Sequence, residues 1–266
     1  MGAPEIPETP AAPQSSPEPA SRVGWRRFAL DTRALGRRVV SPEKGDFTRL
    51  AVVGAGVLAL YGLREEIRDR VVEPDPDKRS PAAQDVRTLM ASGLSTPLAA
   101  LAFAGAGRFD GDSERTETAQ VLLESTLWSV GLAAAGSFVI ASERPRDGDE
   151  VNFFRTDGHG VSLDVALAAS LAAPIDRRHL RPRPGDTRGE RFAKGFGRAA
   201  LYAGVAAVAW QRMESDAHWA PDVFLGAAAG FGVGYVLCDA HEDTRKPLPA
   251  PRVAFSPGGV TLRWRF

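Results

Sequence analysis

The sequence predicts an all-α protein of about six apolar helices, and three observations lead there. Six runs of mostly apolar residues recur, at 50–63, 89–107, 119–141, 161–173, 196–210 and 221–237, each long enough for a helix. Charged or Pro/Gly-rich connectors separate them, notably 108–117, 146–150 and 176–190, where a helix is expected to stop. The two-residue alternation of a half-buried strand is missing until the last residues of the chain, so nothing in the body competes with helix.

Taken in order, residues 1–20 are rich in Pro, Ala, Ser and Glu; they lack the apolar stretch of a secretory signal and read as a disordered arm. A basic segment at 22–38 carries Trp25 and Phe28. It suits an amphipathic helix, lying on a membrane surface or, the reading preferred here, covering the core with a solvated outer face. The run at 50–63 contains Gly54 and Gly56 and ends in Arg64-Glu65-Glu66, before a helix-breaking Glu73-Pro74-Asp75-Pro76 loop. Runs 89–107, 119–141 and 221–237 approach the ~20 residues that a membrane span requires. Those at 50–63 and 161–173 are short, and Glu124 and Asp164 interrupt the apolar texture. Abundant Ala and Gly suit close helix packing in a bilayer and in a tight soluble bundle alike. At the end, Val253-Ala254-Phe255 and 260–266 flank Ser256-Pro257-Gly258-Gly259. Val260, Leu262, Trp264 and Phe266 share one face, which predicts a β-hairpin. A lone hairpin is marginal in water, so it is expected to pack on the bundle or on a protein partner. The expected organisation is an arm and basic segment at 1–46, a helical domain at 47–240, and a tail with the hairpin at 241–266.

The 266 residues include 33 basic and 33 acidic side chains. No global field points to nucleic acid. The basic residues are nearly all Arg, as a GC-rich coding sequence would give, so Arg clusters are not by themselves binding patches. The single cysteine, Cys238, excludes an intrachain disulfide and a thiolate metal cage and reads as a buried thiol.

The chemistry concentrates in three fragments: Glu143-Arg144-Pro145, Asp157-Gly158-His159-Gly160, and Gln211-Arg212 followed by His218 and Asp222. Pro221 suits the first turn of a helix, placing His218 just ahead of it and Asp222 inside it. There Asp222 can fix the imidazole tautomer and leave the other nitrogen free for attack, or it can cap the helix beside an ordinary surface histidine. Free N–H groups at that helix start favour an anion. Glycines beside His159 let backbone approach a phosphate closely, or simply make a turn. Arg144 and Arg212 each end an apolar run, where a cation complements the helix dipole or grips a phosphate with its fork. The chain owns only four histidines, and two of them fall in this pattern.

Together the fragments resemble the three-part signature of the type 2 phosphatidic acid phosphatase superfamily, which includes bacterial acid phosphatases, lipid phosphatases and vanadium haloperoxidases. That signature reads Lys-(x)6-Arg-Pro, then Pro-Ser-Gly-His, then Ser-Arg-(x)5-His-(x)3-Asp. Arg144-Pro145, Gly158-His159 and Arg212…His218…Asp222 match it in order and spacing, and the resemblance spans roughly 47–239. It implies a bundle of the acid phosphatase/haloperoxidase type. It also implies His218 as nucleophile, Asp222 as its orienting carboxylate and His159 as general acid. Arg144, Arg212 and the backbone at Gly158 would bind phosphate. Such a reaction requires no metal or other cofactor, and the sequence offers no convincing metal cluster.

Three positions depart from the signature. Ser137 stands at the Lys position, Asp157 (after Thr156) at the Ser position, and Gln211 before Arg212. The first removes a cation from the phosphate cradle and the second adds an anion beside it; a vanadate haloperoxidase, which relies on that Lys, is the least expected member. The expectation is hydrolysis of a phosphate monoester or pyrophosphate, on a small molecule or a lipid, through a phosphohistidine. The alternative is an inactive member that binds a lipid or an envelope partner. A bacterial envelope membrane location is implied, with a soluble or periplasmic form left open.

Overall fold

The computed structural model describes residues 23–243, 252–256 and 259–263. The arm expected at 1–20, and positions 257–258, Trp264 and Phe266 of the hairpin, lie outside them. The described chain is all-α with two small hairpins. Its helices are α1 (Trp25–Val40), α2 (Lys44–Gly62), α3 (Arg64–Val71), α4 (Pro81–Ala91), α5 (Ser95–Asp110), α6 (Ser113–Val139), α7 (Leu163–Ile175), α8 (Arg188–Glu214) and α9 (Ala220–Asp243). Strands β1 (Ile140–Ser142) and β2 (Val151–Phe153) pair antiparallel between α6 and α7, and β3 (Arg252–Ser256) pairs antiparallel with β4 (Gly259–Arg263).

Two of the expected six helices are bent pairs. The first run is continued by α3 at 66°; the second begins in the last residues of α4, a helix that starts ahead of it at Pro81, and resumes as α5 at 59°. The split has a local cause at Ser92-Gly93. Ser95 Oγ donates to Leu89 O at 2.5 Å, and Ser92 Oγ lies 2.8 Å from Ser95 Oγ. The serines thus take a carbonyl that a continuing helix would have bonded. The long helices start on conventional caps: Asp112 accepts from Glu114 N ahead of α6, and Thr187 and Glu190 form a reciprocal capping box on α8.

At the centre lies α7. Its Val165, Ala166, Ala168, Ala169, Ala172 and Ala173 are buried on every side, as expected of a helix that is apolar all round. It packs most extensively on α9, whose Gly226, Gly230 and Gly234 recur every four residues. A Cβ at Gly226 would stand 2.4 Å from Ser162 O, and one at Gly230 2.4 Å from Ala166 O. The glycines therefore set how closely the two backbones approach. Core residues Val205 and Val208 of α8 and Met90 of α4 close the cluster around α7.

On the far side of the bundle α1 lies against α9. Its buried Asp31 carboxylate sits 3.1 Å from Arg27 Nε and 2.9 Å from His241 Nδ1, while Trp25 is 80% exposed and stacks on Phe28. A second buried pair, Arg178–Glu117 at 3.0 Å, continues this polar layer into α6.

Two expectations need correction. The run at 119–141 stops being helix at Val139, so Arg144 does not end a helix; it follows β1 in a turn where its carbonyl accepts from Asp147 N and Gly148 N. The body is also not free of strand, since β1 and β2 form a three-residue ladder.

Candidate active site

Three segments meet at one end of the bundle, where α6 finishes and α7 and α9 begin. Arg144 comes from the turn after β1. His159 comes from the loop between β2 and α7, its N–H donating to Ser142 O at 3.0 Å. Arg212 lies in the last turn of α8, and His218 stands just ahead of α9. Ser162 N donates to Asp222 O at 3.0 Å, tying the start of α7 to that of α9. These residues surround a cavity of about 310 Å³ lined by Ser137, Arg144, Gly158, His159, Asp164, Arg212 and His218.

Local geometry explains the spacings. Where α8 ends, Ala217 N and His218 N both return to Arg212 O, at 3.1 and 3.2 Å. That wrap fixes the histidine six positions on at a set place beside the arginine, in the manner of a helix C-cap. Asp216 adopts the left-handed conformation (φ 56°) inside the wrap, and Arg68 of α3 holds its carboxylate with two bonds of 2.8 and 2.7 Å. Trp219 stitches the same loop to the turn after β1 by donating from Nε1 to Glu143 O at 3.0 Å, under the guanidinium of Arg64.

The glycines flanking His159 answer to close approach. A Cβ at Gly158 would stand 2.2 Å from Ser137 O, and one at Gly160 1.9 Å from Ile140 O, so only a residue without Cβ lets this loop lie against the end of α6.

His218 is 9% exposed, and its Nδ1 makes no hydrogen bond among the described residues; it is not the ordinary surface histidine of the bland reading. Asp222 Oδ2 lies 3.7 Å from that nitrogen and accepts instead from Trp219 N at 3.0 Å. The carboxylate thus caps α9 and stands beside the imidazole at once. The rings of His159 and His218 meet edge to face with centroids 6.4 Å apart, and both border the same cavity. Burial, then the positive charge of Arg144, holds His159 below the ordinary histidine range. Burial likewise draws the Arg212 guanidinium down from its usual value, and Asp164 opposes it.

The departures fall differently. Asp157 points away: both its oxygens accept from Arg155, at 3.0 and 2.7 Å, in an exposed pair that keeps the carboxyl below its usual range. Gln211 lines a neighbouring cavity of about 360 Å³ with Glu214 and Arg79. Ser137 borders the cavity, but its hydroxyl bonds both the N–H and the carbonyl of Val161 at 3.1 Å.

Sequence reasoning did not single out Asp164 and Arg87 for the site. Asp164 borders the cavity and receives the Arg87 side chain at 2.8 Å; the sign of it in the sequence was a lone acid in an otherwise apolar run. Among the described residues no group of three His, Cys, Asp or Glu side chains is placed to hold a metal ion.

No family model and no curated protein matches the chain. The crystal structure of Aquifex aeolicus LpxE matches it with a TM-score of 0.46 and 19% identity, covering 66% of this chain and 95% of that one. Likeness at that level assigns neither family nor activity, which must come from the residues themselves.

Proposed function

We propose that the protein is a phosphatase that hydrolyses a phosphate monoester or pyrophosphate, carried on a lipid, through a phosphohistidine. One observation supports this above the rest: Arg144, His159, Arg212 and His218, from three separate stretches of sequence, border a single cavity. The guanidiniums of Arg144 and Arg212 grip the phosphoryl oxygens and stabilise the charge that grows on them. His218 presents Nδ1 to Asp222 and attacks phosphorus with Nε2. The bond from phosphorus to the leaving oxygen breaks, and His159 gives that oxygen its proton. Water then attacks the phosphohistidine, its proton passes to His159, and inorganic phosphate leaves as His218 is restored.

The lipid part of the reading draws on two helices, Ser113–Val139 and Ala220–Glu242, that are long and apolar enough to cross a membrane, or up to four such spans if each bent pair counts as one. Asp157, the departure expected to oppose phosphate, is neutralised by Arg155 outside the cavity. A second reading, a member of the same fold that binds a lipid or an envelope partner without turnover, is favoured by the Asp164 carboxylate, whose charge at the cavity wall opposes a phosphate dianion.

Phosphate release from an aryl phosphate, a phosphatidate and a polyprenyl pyrophosphate, each assayed beside His218→Ala, separates the two. Release that disappears in the variant is the expected result. Release that survives it rules out the phosphohistidine, and no release by the wild type leaves the binding reading standing.

A further inference from the structure

The cavity is short of one cation by the signature it resembles, and the residue at that position cannot supply it. Ser137 is engaged at both ends with the Val161 backbone. A different cation waits one layer out. Arg87, on α4, reaches across to the start of α7 and donates from Nε to Asp164 Oδ2 at 2.8 Å. The same carboxylate oxygen lies 3.3 Å from Arg212 Nε, so two guanidiniums share a single acceptor atom. That sharing is unequal: Arg212 Nε is buried without a properly directed hydrogen bond, and so is Arg144 Nε. Arg87 is also among the positive charges acting on Arg212, with Arg144 and Arg146.

Two arginines thus share one carboxylate on the wall of a cavity that Arg144 also borders. A fixed anion there is costly to bury alone and is stable only with such partners. A phosphate dianion offers the same partners more acceptor oxygens and a charge nearer to theirs, and an arginine fork binds it through two parallel bonds. Ionic exchange is then the natural route of entry, with Asp164 giving up its arginines as phosphate takes them.

We propose that Arg87 is the third phosphate-binding cation of this site, delivered by α4 in place of the side chain missing at Ser137, and that Asp164 is the resting counter-ion that phosphate displaces. The proposal rests on the phosphatase reading for its ligand but not on turnover. The contrasting role is a plain ion pair that locks α4 to α7, in which loss of either partner disturbs the site alike.

Binding of inorganic phosphate to the purified full-length protein in detergent, measured by titration calorimetry, tests it. Wild type is compared with Arg87→Gln, Arg87→Lys and Asp164→Asn, with the melting temperature of each recorded. Losing a charge-assisted contact should weaken phosphate binding about tenfold in Arg87→Gln, with most of it kept in Arg87→Lys. Removing the competing anion should tighten it several-fold in Asp164→Asn, roughly the effect of one nearby charge. Arg87→Gln and Asp164→Asn shifting affinity in the same direction overturns the proposal, as does an Arg87→Gln affinity within about twofold of wild type. Should Arg87→Gln not fold, Asp164→Asn decides alone, since weaker phosphate binding there contradicts a displaced counter-ion. Wild type that binds phosphate without releasing it from any ester sinks the hydrolase reading and leaves this proposal intact. Ester turnover that is lost in His218→Ala, with Arg87→Gln phosphate affinity unchanged, does the reverse, and a wild type that binds no phosphate overturns both.

Discussion

His159 is half-buried beside Arg144, and burial, followed by the positive charge of Arg144, pulls its proton affinity below the ordinary histidine value of 6.5, with Asp147 and Asp222 opposing. As the proposed general acid it must carry that proton when the leaving oxygen departs. The protonated fraction falls as pH rises through the lowered value, so kcat/KM should decline on a limb centred below 6.5. Stability runs the other way. The folded state holds this proton more weakly than the unfolded chain, so the group's contribution is intact above the unfolded value and is lost as pH falls through the folded one. Activity of this group thus favours acid, whereas its contribution to the fold does not. A pH profile of kcat/KM for wild type and His159→Asn checks this. The basic limb should vanish in the variant, and a limb centred above neutrality in wild type would contradict the assignment.

At the scale of elements, the loop from β2 to α7 works because Gly158 has no side chain. A Cβ there would meet Ser137 O at 2.2 Å and Ala141 Cα at 2.4 Å. Both are backbone atoms and cannot rotate away, so Gly158→Ala must lift the loop off α6 and carry His159 with it. A cost of about 1–3 kcal/mol is expected for such overpacking. The checks are a lower melting temperature and a fall in kcat, and an unchanged melting temperature would show that the loop relaxes freely. How much of this was legible beforehand follows from where each relation lives. The wrap from Arg212 to His218 and the capping of α9 by Asp222 are local, so their spacing was visible in the sequence. The long helices were visible because apolar runs between charged connectors are a strong signal. The break at Ser92-Gly93 was missed because apolar residues continue on both sides of it. The β1–β2 ladder has three residues per strand, too few for alternation to register. Arg87 and Asp164 are 77 positions apart and meet only because α4 packs on α7, which no single-sequence pattern reports.

For the molecule as a whole, the site and the polar layer around Asp31 and His241 sit at opposite ends of the same helices. The site gathers where α6 ends and α9 begins; the polar layer gathers near the start of α6 and the end of α9. Between them α6 runs for 27 residues, about 40 Å of helix against a hydrocarbon core of about 30 Å. Large apolar side chains Leu98, Leu101, Leu123 and Leu127 are exposed on the packed pair α5 and α6, more than a water-facing surface ordinarily carries in one region. If these helices cross a bilayer, the two ends lie in different compartments, and the substrate phosphate is presented from one side alone. The native thiol makes this testable, because Cys238 is fully buried and silent to a labelling reagent. Arg108→Cys places a thiol near the end of α5, and Asp147→Cys places one beside Arg144; both positions are exposed. In sealed vesicles of uniform orientation, a membrane-impermeant maleimide should label one of these variants and spare the other. Detergent should make both react. Equal labelling of the two before detergent would mean that the bundle does not separate two compartments, and the proposed lipid substrate would then have to be reached by a protein lying on the membrane surface.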